Sequence, residues 1–201
     1  MKPRGDLRTR LRTTTCEAHE RLHVHPGFAA AAAGRVGPDD YCDMLARLYG
    51  FHKAFEAGFA AAPTDMAEAI ELSTRTRSRH LQEDLVAFGL GAHIADLPLC
   101  PTPPRGPSEP QWLGALYVTE GSTLGGTEIG RTLERAGFPD NRRHFFTAYG
   151  ERRSEMWRGF LARLETHADD PAAADAAEAA ALDAFARFEA WMADWQGAAT
   201  R

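Results

Sequence analysis

Arg12 and His19 lie seven residues apart in a segment patterned as a helix, so they fall two turns apart on nearly the same face, roughly 10 Å from each other. An imidazole can hold iron and a guanidinium can grip a carboxylate with two parallel hydrogen bonds. Together they suit a ligand with a metal at one point and carboxylates at its edge. Much later, Trp112 to Leu133 is written as a helix with apolar residues at Leu113, Leu116, Tyr117, Leu124 and Leu133, yet Gly121, Gly125 and Gly126 interrupt it. Each glycine costs roughly 1 kcal/mol relative to alanine in a helix interior. Gly121 with Gly125, and Ser122 with Gly126, are each one turn apart, which predicts a bare strip along one side. Two uses of such a strip stay open on this segment alone: close packing of another helix, or a flat ligand lying across a kinked helix.

The elements that must carry these residues are helical. Valine occurs only at positions 24, 36, 86 and 118 and isoleucine only at 70, 94 and 129, while leucine, alanine, arginine and glutamate dominate. That balance favours an all-α protein. A chain of 201 residues reads as one domain, 1–201, able to bury about 70% of its unfolded surface. The first helix is expected to start near Asp6 and stop before His25-Pro26-Gly27, with Leu7, Leu11, Ala18 and Leu22 as its apolar face and His19 beside them on the inward side. A second starts at Pro38-Asp39-Asp40, where proline and acids suit a first turn, and runs to Pro63. A third runs from Thr64-Asp65 towards Gly89, weakened around Ser73 to Arg79. Five prolines between Gly91 and Pro107 predict a long loop. After the glycine-rich helix, which Gly137-Phe138-Pro139 ends, come short helices over Asp140 to Tyr149 and Glu151 to His167. A final one opens at Pro171 with Leu182, Phe185, Phe188, Met192 and Trp195 as its stripe.

Composition narrows the function classes. The formal charge of −5 with dispersed basic residues shows no broad footprint for nucleic acid. Cys16, Cys42 and Cys100 are an odd number without a Cys-x-x-Cys pair, against a disulfide framework or a cysteine zinc site; Cys16 and Cys42 read as small core residues. No apolar run reaches membrane-spanning length and the first residues carry no signal-peptide pattern, so a cytoplasmic protein without a membrane partner is expected.

Leu11 to Leu22, Leu-Arg-Thr-Thr-Thr-Cys-Glu-Ala-His-Glu-Arg-Leu, resembles the proximal helix of haem oxygenases, and Leu116 to Gly126, Leu-Tyr-Val-Thr-Glu-Gly-Ser-Thr-Leu-Gly-Gly, resembles their distal helix in the bacterial branch associated with bacteriophytochromes. The resemblance covers about Leu7 to Leu164. It implies an all-α fold with haem between the first helix and the glycine-rich helix. His19 matches the proximal iron ligand, and Gly121 and Gly125 match the distal glycines that close over haem. Arg12 and Arg158 match basic positions near the propionates, and Tyr117 falls where it would line the pocket beside them. Ser122 stands where the animal enzymes carry an aspartate that organises distal water, an acid that the bacterial branch commonly lacks; a serine hydroxyl, backbone groups and ordered water could support a proton relay instead, and the resemblance implies Gly121, Ser122 and Gly125 as the residues at the reacting side.

What the resemblance implies is conversion of haem, as cofactor and substrate, to biliverdin, carbon monoxide and ferrous iron with dioxygen and external electrons. The chain has no Gly-x-Gly-x-x-Gly fingerprint after a strand, so the electrons are expected from a separate ferredoxin or reductase, and a bacteriophytochrome is an expected acceptor of biliverdin. Other readings stay open here. Glu20-x-x-His23 has the spacing of a carboxylate-bridged di-iron motif, although no second copy occurs. A haem-binding sensor without turnover on the same fold, or an interaction module using the glycine strip, would also fit the residues.

Overall fold

The computed structural model describes residues 6–195, so the ends of the expected 1–201 domain lie outside the described residues. Ten α-helices follow one another, joined by short 3-10 turns, with no strand among the described residues. Helix α1 (Leu7–Thr14) is capped by the Asp6 carboxylate, which accepts from the Thr9 N–H at 3.2 Å, and α2 (Cys16–Val24) follows after Thr15. The Thr15 hydroxyl is buried and donates to the Leu11 carbonyl at 2.8 Å, a competing local bond of the kind that bends helices. The single first helix expected from the pattern is therefore two, jointed at Thr15. Leu7, Leu11 and Ala18 face the core as predicted, but Cys16 is exposed rather than buried.

Helix α3 (Pro26–Ala32) occupies a stretch that the sequence reading gave no element. Pro26-Gly27 ends α2, yet Pro26 also opens α3 at its first turn, where a missing N–H costs nothing. Gly27 is required there, because a Cβ would sit 2.1 Å from the Trp195 ring. Helix α4 (Pro38–Ala57) opens on Pro38, Asp39 and Asp40 and contributes Tyr41, Met44, Leu45 and Leu48 to a core cluster. The third expected helix divides where its pattern weakens, into α5 (Thr64–Ala69) and α6 (Ser78–Ala87).

Helix α7 (Glu109–Arg135) is one uninterrupted helix of 27 residues through all the glycines. Gly137, at φ +91°, takes the left-handed turn that ends it. Helix α8 (His144–Thr147) is fixed by the buried Asp84 carboxylate, which accepts from the N–H groups of His144 (2.7 Å) and Phe145 (3.0 Å). Helices α9 (Arg153–Glu165) and α10 (Pro171–Met192) complete the chain, the latter capped by Asp170. Helix α10 packs along α7 through Ala174, Ala177, Ala181 and Ala184, and also meets α1 and α2. Leu182, expected in that stripe, is exposed; the alanines bury instead because α7 comes too close for larger side chains.

Candidate functional site

Two kinds of glycine lie along α7. A Cβ added at Gly114 would stand 2.0 Å from the Ala177 carbonyl oxygen, and one at Gly130 would stand 3.1 Å from Phe146. At these positions glycine admits a neighbouring element. A Cβ at Gly125 would meet nothing within 4 Å, and at Gly121 only the rim of the Trp157 ring, at 3.9 Å. Gly126, assigned by spacing to the same bare strip, instead faces Phe146. The strip is thus split: Gly121 and Gly125 border open space, whereas Gly126 and Gly130 seat α8. Leu124, between them in sequence, is also exposed.

His19 lies on α2 with its side chain 58% exposed, not on the inward face, which belongs to Ala18. Its ring meets His23 edge-on at 4.4 Å and the buried Phe185 of α10 at 6.5 Å, and its Nδ1 is 3.8 Å from the Glu20 carboxylate. His25 is already committed: its Nε2 lies 3.2 Å from the Met192 carbonyl and its ring stacks on Trp195. No group of three or more His, Cys, Asp or Glu is gathered to hold a metal among the described residues, so nothing assembles around Glu20 and His23.

Arg12, exposed on α1, and Arg8 one turn before it both act on Tyr117 of α7: burial pushes the phenol pKa up and the two cations pull it back. The Tyr117 ring contacts Trp157 at 5.9 Å, and Trp157 also neighbours Gly121. This brings Arg12, Tyr117 and Gly121 to one end of the site. Arg158, next after Trp157, is exposed and makes no hydrogen bond or ion pair among the described residues. Ser122 is exposed on the flank of α7, its hydroxyl donating to the Thr119 carbonyl at 2.7 Å.

Behind α7 lies a buried polar cluster that sequence reasoning did not find. Glu120, 1% exposed, accepts from Arg75 Nη1 at 2.8 Å and from the Tyr149 hydroxyl at 2.9 Å. Arg77, 2% exposed, lies over the Tyr149 ring at 4.0 Å, and its Nη2 is 3.6 Å from Glu120. Tyr149 reaches this place through a left-handed backbone, φ +68°, which is unusual for a residue with a Cβ. His52 lies beside them; burial, with help from Arg77, pushes its pKa down to about 3, so it is neutral. The available sequence signals were an acid inside an apolar helix stripe and two arginines where the third helix weakens.

The family model described as heme oxygenase matches residues 5–194. A heme oxygenase of Xanthomonas campestris pv. campestris is 33% identical over 168 residues, covering 82% of this chain and 95% of the relative. Among solved structures, heme oxygenase-1 of the cyanobacterium Synechocystis in complex with heme superposes with a TM-score of 0.76 at 19% identity, covering 94% of this chain and 92% of that one. The NO- and CO-bound heme oxygenase of Neisseria meningitidis gives 0.68 at 21% identity, covering 97% and 94%. The all-α architecture is common to these structures, and the sequence match runs through the jointed first helices and the glycine-rich helix alike. On both counts the chain belongs to the haem oxygenase family.

Proposed function

We propose that the protein converts haem to biliverdin, carbon monoxide and ferrous iron, using dioxygen and external electrons, with haem held between α2 and α7. The observation that carries this placement is the open space over Gly121 and Gly125. Were the strip there to pack a helix, a Cβ at those positions would collide, as it does at Gly114. The residues present fit the group. His19 would hold the iron, its imidazole exposed and free of the backbone bond that occupies His25. Arg12 and Arg158 are exposed cations suited to the propionates, and Tyr117 lines the pocket at their end. Bound haem supplies the iron that takes dioxygen and the meso carbon that is oxidised. The protein fixes the ring, excludes side chains from the oxygen side at Gly121 and Gly125, and presents hydrogen-bonding groups at Ser122. A separate ferredoxin or reductase supplies the electrons, a reading supported by the missing dinucleotide fingerprint. A bacteriophytochrome is the proposed acceptor of biliverdin. No helix among the described residues is long and apolar enough to cross a membrane, which accords with work in the cytoplasm.

Haemin titration followed by anaerobic reduction, admission of air and chromatography of the pigment tests the activity: one equivalent should saturate a sharp Soret band, and biliverdin should form. His19→Ala should remove the iron–histidine band from the resonance Raman spectrum while helicity is kept. An unchanged band would transfer the ligand role to His23, its exposed ring neighbour.

A further inference from the structure

The Glu20-x-x-His23 spacing, which the haem reading leaves unused, is part of a longer motif. His19-Glu20-Arg21-Leu22-His23 reads His-Glu-x-x-His, the pattern by which a helix turns two imidazoles, one turn apart, towards a single zinc ion. Both histidines lie inside α2, so the backbone fixes their spacing, with Cβ atoms about 5–6 Å apart. The two rings already meet edge-on, their centroids 4.4 Å apart, and Phe185 of α10 braces His19 at 6.5 Å. No hydrogen bond among the described residues holds either ring, in contrast to His25. The one cation of the motif, Arg21, is drawn away to Glu189 of α10 at 2.9 Å, while the Glu20 carboxylate stays 3.8 Å from His19 Nδ1. A cation between the rings would meet two nitrogen lone pairs and a negative charge beside them. No third donor completes the set among the described residues, so water would fill the other positions, as it does in zinc sites that stay open.

We propose that His19 and His23 form a second metal site on α2, a two-imidazole chelate for a divalent first-row ion such as zinc, and that this ion and haem exclude each other. The exclusion rests on the haem oxygenase reading; the chelate does not. A neutral imidazole has one lone pair for a metal, because its other ring nitrogen carries hydrogen. His19 can therefore serve the iron of haem or an ion shared with His23, never both at once. Imidazole suits zinc, copper, nickel and iron, and at a given set of ligands affinity rises from ferrous iron through cobalt and nickel to copper. Ferrous iron sits low in that order. The metal product of the proposed reaction thus clears the site, whereas a later ion lodged there keeps haem out.

The test has two parts. Calorimetric titration of the haem-free protein with zinc chloride should show one ion bound per chain. His19→Ala and His23→Ala should each weaken that binding by about tenfold or more, since losing either imidazole ends the chelate. Cys16→Ser, exposed about one turn before His19, and His93→Ala, exposed on another element, should match wild type. Both motif histidines are exposed, so their variants should keep the circular dichroism of wild type. Zinc binding that survives His23→Ala, or no binding at one equivalent, overturns the chelate whatever the protein does with haem. In the second part, zinc at about ten times its measured dissociation constant should weaken haemin binding to wild type by about tenfold, as competition for one site requires. The same zinc should leave haemin binding to His23→Ala unaffected, because that variant keeps His19 but not the chelate. Haemin affinity indifferent to zinc in wild type overturns the exclusion, and the iron–histidine band of His19→Ala then tells whether haem is held by another residue. Failure of wild type to bind haemin at all would sink the functional reading and the exclusion with it, while the zinc titration stays decisive for the chelate.

Discussion

At the scale of single residues, the site divides into groups that hold and groups that leave room. Arg12 and Arg158 are exposed cations with no partner among the described residues that their removal would strand. Arg12→Ala and Arg158→Ala should therefore fold as wild type does and keep the His19 ligation. What they should lose, on the proposed placement, is ring orientation, since charge-assisted bonds to the propionates would fix the in-plane rotation that decides which meso carbon is attacked. Weaker haem affinity and a mixture of biliverdin isomers are expected, with non-additive coupling in the double variant because both arginines hold one ring. Isomer chromatography beside haem titration checks this; single variants identical to wild type in both would return the arginines to plain surface charge. The sequence offers these two residues as candidates because each lies on a short motif. Arg77 was not legible, since its meaning comes from Glu120, forty-three positions away, and from Tyr149 beyond that, brought together only by folding.

Element by element, α7 shows why a count of glycines says little until their neighbours are known. Gly114→Ala should destabilise the haem-free protein by about 1–3 kcal/mol or more, because the new methyl group meets the Ala177 backbone. Gly125→Ala should stabilise it, by about 1 kcal/mol, since nothing obstructs the methyl and helix propensity improves. Gly125→Leu should likewise leave haem-free stability intact while suppressing haem affinity or turnover. Thermal melts of the three variants with and without haem measure all of this. Equal losses of haem-free stability at both sites would mean that Gly125 also packs a helix. Periodicity located α4, α7, α9 and α10 within a few residues, because each buries a continuous apolar face. It failed at α3, where Pro26-Gly27 reads as a stop although the same proline starts a new helix. It also placed His19 inward, although the buried face runs unbroken through Leu7, Leu11, Thr15 and Ala18 and leaves His19, one residue round from Ala18, on the exposed side.

For the molecule as a whole, the buried His52 sets an acid limit on stability. Its folded pKa is pushed down to about 3 from an ordinary 6.5, so between those values the unfolded chain binds a proton that the folded one refuses. Its contribution is fully present above pH 6.5 and is lost as the pH falls below it. Between pH 7 and pH 5 the wild type should lose about 2 kcal/mol more than His52→Gln, measured by urea unfolding. Parallel pH profiles would place the acid sensitivity elsewhere. Helix α10 has a consequence of another kind. Arg10 pairs with Asp175 and Glu178, Arg21 grips Glu189 at 2.9 Å, and Gly114 rests on Ala177, so α1, α2 and α7 all dock on the last helix. During synthesis at about 5–20 residues per second, the ~150 residues between α2 and α10 take roughly 7–30 s to make. For that interval the helix bearing His19 has emerged without the floor on which it settles. Under the proposed placement, haem arriving early would meet only part of its seat, so loading is expected to follow the emergence of α10.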